Sequence, residues 1–359
     1  MKITLHPDQF DQLAWIAKSA PQRPPAPILT GVRLTPTDDG LKAETFDYTL
    51  HTTAWIHADV HDGEPVIVPG RLLAEIVRAL PKKTAQFQVK SGKLKVQCGS
   101  SKFRLNTMSA DDYPAPPTAG NPLGCVSADT LFPHVSRALT AASRDDTLPL
   151  LAAVRFEFND GQLSVLSTDR YRLTVCDVDW TGDNGELLIP AKALTEVTRS
   201  LNGTITVTKT DNVAGFSDGR RAISVSLTEG DFPPVRRLIP TETSTNAIVN
   251  AAALIDVVKR VAILAERGTP VRLEFTQDTV TVRAGADDQS AVEELPLVEP
   301  LHGEPITTSF NPAFLLDGLD AQSTQDVQIG FTHPVKPVVF TPAGQESGSF
   351  TYLLVPIRS

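Results

Sequence analysis

The chain has few aromatic residues, only three cysteines and no excess of positive charge. Aromatics make up 6% of the 359 residues, and Cys98, Cys125 and Cys176 lie far apart, without a CxxC or Cys/His spacing. Isolated thiols argue against a zinc site or a disulfide framework and favour a reduced, cytoplasmic protein. The net charge of −9 argues against a protein that grips nucleic acid over its whole surface. Any contact with DNA has to come from local basic faces.

Long apolar runs and catalytic motifs are also missing. The N-terminal text MKITLHPDQF lacks the apolar core of a signal peptide, and no run approaches the ~18 apolar residues of a membrane span. The seven histidines show no HExxH spacing, and no GxGxxG, Walker or GxSxG pattern stands at a strand-to-helix turn. Asp169 follows strand-like text, where Asp more often anchors a turn than joins a catalytic pair. We therefore expect a soluble cytoplasmic protein that is not an enzyme and needs no cofactor or metal.

What the chain does contain is a threefold internal repeat. The segments VPGRLLAEIVRAL, IPAKALTEVTRSL and FNPAFLLDGLDAQ begin at Val68, Ile189 and Phe310, so both intervals are 121 residues. In each copy the end of a strand meets Pro or Asn and then a helix, which predicts helix starts at Pro69 and Pro190. Repetition at a fixed interval indicates that the chain is built from similar units.

An earlier helical segment also recurs in each unit, at about 7–20, 127–143 and 250–266. The middle copy shows the spacing of a buried helical stripe, although Pro133 falls inside it. The stripe consists of Leu131, Val135, Ala138, Leu139 and Ala142. Short β-branched runs between the helices, such as GQLSVLSTD and GTITVTKTDN, predict antiparallel strands.

The repeats predict three α+β domains, each with two helices packed on antiparallel sheets. Matching phrases close the first two units, Asp112-Tyr113-Pro114 and Asp231-Phe232-Pro233. We place the domains at 1–120, 121–245 and 246–359, a size that suits one core each. Three similar units in one chain suggest a closed ring of six in a dimer, although repeats also build open solenoids.

Most predicted helices carry two basic residues seven positions apart, which places both on one face. The pairs are Arg71 and Arg78, Lys192 and Arg199, Arg137 and Arg144, and Arg260 and Arg267, with Lys259 beside the last pair. These are either ordinary solvated faces or parts of a lining that meets DNA phosphates without reading bases. The third repeat carries Ala313, Asp317 and Asp320 instead, so a lining is interrupted there.

Phrases along the whole chain, in the same order, resemble those of bacterial β sliding clamps, the DNA polymerase III β subunits. They are Pro27-Ile28-Leu29, VPGRLLAEIVRALP, SSKFRLNTMSADDYP, LSTDRYRLTVC, EGDFPPVRRLIP, SFNPAFLLDGLDA and YLLVPIRS. The resemblance implies the DNA clamp fold and a head-to-tail homodimer whose six-domain ring encircles double-stranded DNA of any sequence. It also implies partners: the replicative DNA polymerase, the clamp loader and other proteins with a clamp-binding motif.

By the same resemblance, a pocket for short linear peptides lies between the second and third domains. Its residues are Leu151, Thr168, Tyr171, Arg172, Leu173, Pro233, Arg237, Leu238, Asn311, Phe314, Val335, Val355, Pro356, Ile357 and Arg358. An apolar cleft with a few polar groups is the usual form of such a site. Taken singly, each of the apolar residues is better explained by core packing, and only the resemblance gathers them into one site.

The resemblance further implies a dimer interface and a DNA contact at Arg23. The interface joins Lys102 and Phe103 on one edge to Ile263, Leu264, Glu293 and Glu294 on the other. The chain departs from the family pattern at Arg170, where many clamps have Gly, and at Gly268, Pro337 and Ser359, which leaves the preference of the pocket open. Two alternatives remain: a duplicate clamp with a specialised role, and an α+β repeat scaffold that binds proteins but not DNA.

Overall fold

The computed structural model describes residues 1–61, 63–117, 120–265, 269–286, 289–344 and 350–357. The α-helices in these ranges are α1 Phe10–Lys18, α2 Gly70–Ala79, α3 Ala128–Ala141, α4 Ala191–Ser200, α5 Ala251–Val261 and α6 Pro312–Asp320. Short 3-10 helices lie at Pro7–Gln9, Pro27–Thr30, Val235–Leu238 and Ala262–Leu264. Within the same ranges, no helix is long and apolar enough to cross a bilayer.

Most of the other described residues lie in strands. The strands up to α3 are β1 Lys2–Leu5, β2 Gly31–Thr37, β3 Gly40–Phe46, β4 Leu50–Ile56, β5 Asp59–His61, β6 Val66–Pro69, β7 Ala85–Lys90, β8 Lys93–Cys98, β9 Ser101–Asn106, β10 Met108–Ser109 and β11 Asn121–Ser127. Those between α3 and α5 are β12 Ala153–Asn159, β13 Gln162–Thr168, β14 Arg172–Asp179, β15 Thr181–Gly182, β16 Gly185–Pro190, β17 Thr204–Lys209, β18 Val213–Ser217, β19 Arg221–Ser226 and β20 Thr245–Asn250. The last are β21 Val271–Phe275, β22 Thr279–Ala286, β23 Gln289–Pro296, β24 Ile306–Phe310, β25 Asp326–Phe331, β26 Val338–Pro342 and β27 Phe350–Leu354.

The chain forms two compact units, one of residues 1–128 with 196–227 and one of residues 129–195 with 228–359. In the first unit, one sheet has the order β5-β1-β7-β8-β9 and the other runs β10-β6-β2-β3-β4-β19-β18-β17-β11. Strands β4 and β19 pair antiparallel although they lie far apart in sequence. The α+β class with antiparallel sheets was predicted correctly.

Helices α1 and α2 pack together in the first unit and cover its sheets. Their apolar residues recur every three or four positions, so Leu13, Ala17 and Leu73 point to one buried core with Phe87 of β7. A Cβ at Gly70 would lie 2.7 Å from the carbonyl oxygen of Ala17. Glycine at the start of α2 is therefore what allows the two helices to approach this closely.

In the second unit, one sheet has the order β16-β12-β13-β14-β27-β26-β25-β20 and the other β23-β22-β21-β24. Helices α5 and α6 contact each other. A Cβ at Gly318 in α6 would lie 2.3 Å from the ring of Tyr352 in β27. The Tyr352 hydroxyl donates a hydrogen bond to the carbonyl of Phe314 at 2.7 Å. The glycine thus lets α6 rest directly on the aromatic ring that binds its backbone.

The predicted helices are present, with small shifts at their ends. Helices α2 and α4 begin at Gly70 and Ala191, one residue later than predicted, and at α2 the backbone of Pro69 is non-helical and serves as the N-cap. Asn311 caps α6 with its side chain, which accepts from the N–H of Ala313 at 2.9 Å. The stripe predicted in α3 faces the core as expected, with Leu139 half-buried and its other members buried.

Candidate functional site

The turn between β13 and β14 is organised by Asp169. One carboxylate oxygen accepts hydrogen bonds from the backbone N–H groups of Tyr171 and Arg172, both at 3.0 Å. Thr168 closes the turn, because its hydroxyl donates to the carbonyl of Arg172 at 2.7 Å and accepts from the N–H of Arg170 at 3.1 Å. The expectation that Asp169 anchors a turn is confirmed. Within this turn Arg170 adopts φ +81°, a left-handed conformation that is strained for a residue other than glycine.

Arg172 is a buried cation held by two carboxylates. Only 4% of its surface is exposed. Its guanidinium donates to Asp169 at 2.9 Å and to Asp317 at 2.5 Å, and lies 4.3 Å from the centre of the Phe314 ring. Burial alone would lower the pKa of Arg172, but the hydrogen bonds to Asp317 and Asp169 outweigh it and raise that pKa above its usual value. Arg172 therefore stays charged and joins the turn to α6.

An apolar wall lies beside this ion cluster. The Tyr171 ring, 55% exposed, stacks on the ring of Phe314 with their centres 6.1 Å apart. The N–H of Val355 donates to the carbonyl of Tyr171 at 2.9 Å, and that of Ile357 donates to the carbonyl of Ser309 at 2.8 Å. The structure thus brings together predicted pocket residues that lie almost two hundred positions apart in the sequence.

A second group of predicted pocket residues lies on and before the 3-10 helix Val235–Leu238. Leu238 is 53% exposed and Arg237 is exposed, whereas Val235 is buried in an apolar cluster that includes Leu173. Leu173 is only 2% exposed, so the core-packing interpretation describes its side chain. The exposed apolar groups, and not Leu173, are the ones able to meet a ligand.

The remaining predicted pocket residues differ in exposure. Val335 is 47% exposed in the connection between β25 and β26, Leu151 is half-buried, and Pro356 is buried. Asn311 is half-buried and its side-chain oxygen is occupied by the cap of α6. Arg358, together with Arg267, Gly268 and Ser359, lies outside the described residues.

Sequence reasoning missed the partners of Arg172. Asp317 was noticed only as an acidic residue in the third repeat, and Tyr352 was not considered. Burial raises the pKa of Tyr352, and its hydroxyl is near the guanidinium that stabilises the site. Asp317 stands at the same place in its repeat as Glu75 and Glu196, which is a usable signal. Its partner on another strand becomes visible only in the fold.

The basic residues predicted to face DNA fall into two groups. Four are engaged: Arg71 with Glu75, Lys192 with Asp146, Arg260 with Glu293, and half-buried Arg137 with the ring of Phe350. The others, Arg23, Arg78, Arg144, Arg199 and Lys259, are exposed and form no ion pair in the part of the chain that the structure describes. The shared helical face expected for Arg137 and Arg144 was wrong, because α3 ends at Ala141.

The residues predicted at the dimer interface lie on open edges. Strand β9, with exposed Lys102 and half-buried Phe103, ends one sheet, and β23, with Glu293, ends another. Exposed Glu294 follows on β23. Ile263 is 79% exposed and Leu264 38% exposed in the 3-10 helix after α5. Unpaired edges beside exposed apolar side chains are typical of surfaces that a second chain covers.

Comparison with known proteins gives matches along the whole chain. Family models of the DNA polymerase III beta subunit match residues 1–117 (N-terminal domain), 126–234 (central domain) and 236–358 (C-terminal domain). A beta sliding clamp of Streptomyces coelicolor is 36% identical over 100% of this chain and 99% of its own length. One of Micrococcus luteus is 39% identical over 82% of this chain and 99% of its own length. The crystal structure of the DNA polymerase III subunit beta from Pseudomonas aeruginosa shares the fold with a TM-score of 0.94, at 22% identity and 100% coverage of both chains.

The strained turn leads to a prediction about stability. Arg170→Gly should increase the free energy of unfolding by about 0.5–1 kcal/mol, since relief of the left-handed strain exceeds the added flexibility of the unfolded chain. Arg170→Ala keeps the strain and should show no such gain. Arg237→Gly, an exposed arginine without positive φ, should instead be destabilising. Denaturant unfolding of the three variants tests this, and equal midpoints for Arg170→Gly and Arg170→Ala would contradict it.

Proposed function

Because this chain belongs to the bacterial β sliding clamp family, we propose that it is a DNA sliding clamp, a homodimeric ring that encircles double-stranded DNA and tethers the replicative polymerase. The observation that carries the proposal is similarity over the full length of the chain to a relative named beta sliding clamp. The family is one of processivity clamps and not of enzymes. We further propose three domains at 1–120, 121–245 and 246–359, and a cytoplasmic location; the three family matches support the division.

Retention on DNA is topological and only weakly adhesive in this proposal. Three of the basic residues predicted to face DNA are partly neutralised by Glu75, Asp146 and Glu293, and the chain carries a net charge of −9. Tight phosphate binding needs several uncompensated cations, and its strength falls steeply with salt. A closed ring needs no such grip, because the enclosed duplex has no exit.

The function is tested on DNA circles. After loading by a clamp loader, the protein should stay on nicked circular duplex through gel filtration and leave once a restriction enzyme linearises the circle. A linear duplex blocked at both ends by bulky protein should retain it as the circle does. Equal retention on open linear and circular DNA, or tight binding to one short duplex sequence, would contradict the proposal.

The ring is proposed to close by pairing of the β9 edge of one protomer with the β23 edge of the other. The basic residues Lys102 and Arg104 lie on β9, and the acidic Glu294 lies on β23, so the two edges are complementary in charge. Exposed Ile263 and Leu264 and half-buried Phe103 supply apolar surface beside the edges. Closure of this kind covers the two edges that would otherwise be free to pair with other chains.

We expect light scattering to give twice the chain mass of 38.7 kDa at micromolar concentration. Ile263→Asp or Phe103→Asp should produce a folded monomer, because each places a charge in an apolar contact. Val335→Asp changes an equally apolar, exposed residue away from both edges and should remain dimeric. A wild-type protein that is monomeric at this concentration, or a dimer unaffected by either edge variant, would contradict the proposed ring.

The partner peptides are proposed to bind between the wall of Tyr171, Phe314, Val355 and Ile357 and the exposed Leu238. This arrangement places apolar groups beside the buried guanidinium of Arg172, which is already paired with Asp169 and Asp317. Leu and Phe side chains of a clamp-binding motif would gain most by desolvation there, while polar groups at the rim orient the peptide. The replicative polymerase and the clamp loader are the expected sources of such peptides.

Alanine substitution tests the pocket. Tyr171→Ala and Leu238→Ala should each weaken binding of a peptide that carries Gln followed by spaced Leu and Phe by about 1–2 kcal/mol in calorimetry, the usual loss for an anchor contact. Tyr48→Ala is a matched control, since Tyr48 is 53% exposed in the corresponding turn of the first unit. Unchanged affinity in both pocket variants, with the dimer intact, would place the peptide elsewhere.

A further inference from the structure

The five-stranded sheet of the first unit has one strongly basic face. Alternate residues point to opposite sides of a strand, and on this sheet Ile3, Phe87 and Val96 point into the core. The opposite side is exposed and is called the basic face below. Its cations are Lys2, Lys90, Lys93, Lys95, Lys102 and Arg104.

The strand register shows that these residues share the face. Lys2 lies opposite Gln88, Gln88 opposite Lys95, and Lys95 opposite Arg104. Lys90 likewise lies opposite Lys93. Two pairs of like charges therefore stand directly across from each other, an arrangement that is destabilising in a sheet. Such a cost is expected where the charges serve an external partner.

Carboxylates are scarce on the basic face. Among the described residues none of its six cations forms an ion pair, and its one acidic residue is Asp59, opposite Thr4 on the outermost strand β5. The four-stranded sheet of the second unit is different, because there Arg272 and Arg283 both pair with Glu274, at 3.0 Å and 3.3 Å. In a protein of net charge −9, the positive charge of the basic face is left uncompensated.

The chemistry of the face fits phosphates better than a protein surface. Apart from the cations its main side chains are Thr4, Gln86, Gln88, Gln97 and Asn106, which are hydrogen-bond donors. No aromatic or large aliphatic side chain of these strands points to this side, since Phe103 lies opposite Val96 on the core side. Docked proteins rely on buried apolar anchors, whereas DNA backbones are held by Lys, Arg, Gln, Thr and Asn.

We propose that the basic face binds the phosphate backbone of DNA, in a segment other than the one enclosed by the ring. Cations two residues apart on a strand are spaced by roughly 6.7 Å and those on neighbouring strands by about 4.8 Å, so several reach one short stretch of backbone. The distinction between this DNA segment and an enclosed one rests on the proposed function. The contact between the basic face and phosphates does not require a ring. Binding of this kind is independent of sequence and sensitive to salt.

The edge strand β9 complicates the choice of variants. Lys102 and Arg104 lie on the strand proposed to meet a second protomer, so their loss would also disturb the dimer. Lys93 and Lys95 lie on β8, between β7 and β9, and both are exposed. The test variant is therefore Lys93→Glu with Lys95→Glu. Arg220→Glu with Lys336→Glu is the control, since it makes the same charge change at exposed positions elsewhere.

The probe is a 30-bp duplex with streptavidin at both ends, mixed with the dimer without a clamp loader, so that DNA cannot thread into a ring. Wild type and control should bind it at low salt with affinities within about twofold of each other. The Lys93→Glu/Lys95→Glu variant should bind at least tenfold more weakly, and its slope of log affinity against log salt should be shallower by about 2, one for each lost phosphate contact. Light scattering and circular dichroism confirm that the variant is a folded dimer.

The proposal would be overturned if the wild type did not bind the DNA at low salt, or if the Arg220→Glu/Lys336→Glu control lost as much DNA affinity as the test variant. It would also be overturned if the protein bound phosphatidylserine vesicles or polyglutamate more tightly than DNA of equal charge. The last would assign the face to a membrane or an acidic protein instead. Retention on nicked circles is measured in parallel. If retention fails while end-blocked DNA still binds through Lys93 and Lys95, the proposed ring is wrong and the basic face stands.

Discussion

The buried ion cluster of Arg172, Asp169 and Asp317 is the constraint on which the candidate peptide site depends. Arg172 begins β14, Asp169 shapes the turn before it, and Asp317 lies on α6, so one guanidinium joins three elements of the second unit. A cation buried to this degree is tolerated only while both carboxylates remain in place, since an unpaired buried charge is costly. The exposed Tyr171 ring and the half-buried Phe314 ring are held in position as a consequence.

The same turn recurs before β4 and before β19 in the first unit, with different outcomes. In the first unit Asp47 accepts hydrogen bonds from the N–H groups of Thr49 and Leu50, and Tyr48 adopts φ +73°, as Arg170 does in the second. The aspartate and the left-handed residue after it therefore belong to the repeated fold. The first residue of the next strand is Leu50 after the Asp47 turn, Arg172 after the Asp169 turn and Arg221 after the Asp218 turn. An arginine at this place does not by itself make a buried ion cluster. Arg221 donates to the carbonyl of Ser200 and lies over the ring of Trp15, whereas Arg172 reaches the carboxylate of Asp317.

Much of the fold followed from local patterns. The interval of 121 residues, the strand-to-helix phrases and the apolar stripe of α3 located most of the helices, because these signals lie within a single element. Helix ends were less accurate, since they depend on caps: Pro69 proved to be a cap instead of the first helical residue. The length of α3 was overestimated, which wrongly assigned Arg144 to a helical face.

The site was less accessible from sequence alone. The family resemblance assigned Tyr171, Phe314 and Val355 to one pocket. The spacing of these residues in the sequence could not do so, because strand pairing and the packing of α6 bring them close together. Nor could periodicity distinguish exposed Leu238 from buried Leu173, since both are leucines next to polar residues. Burial is a property of the assembled unit, and only contacts over long sequence distances decide it.

The basic residues of this acidic chain differ in how far nearby carboxylates neutralise them, and the difference follows individual sheets and helices. Acidic side chains neutralise many of the arginines in the second unit, as at Arg155 with Glu157 and Arg236 with Asp177, so local fields there are short-ranged. The basic face of the first unit has no such compensation on its inner strands. An acidic protein with confined cationic faces repels DNA at a distance and attracts it only where those faces are presented. Such a distribution suits a molecule that has to move along DNA, because a uniform positive surface would hold it in place.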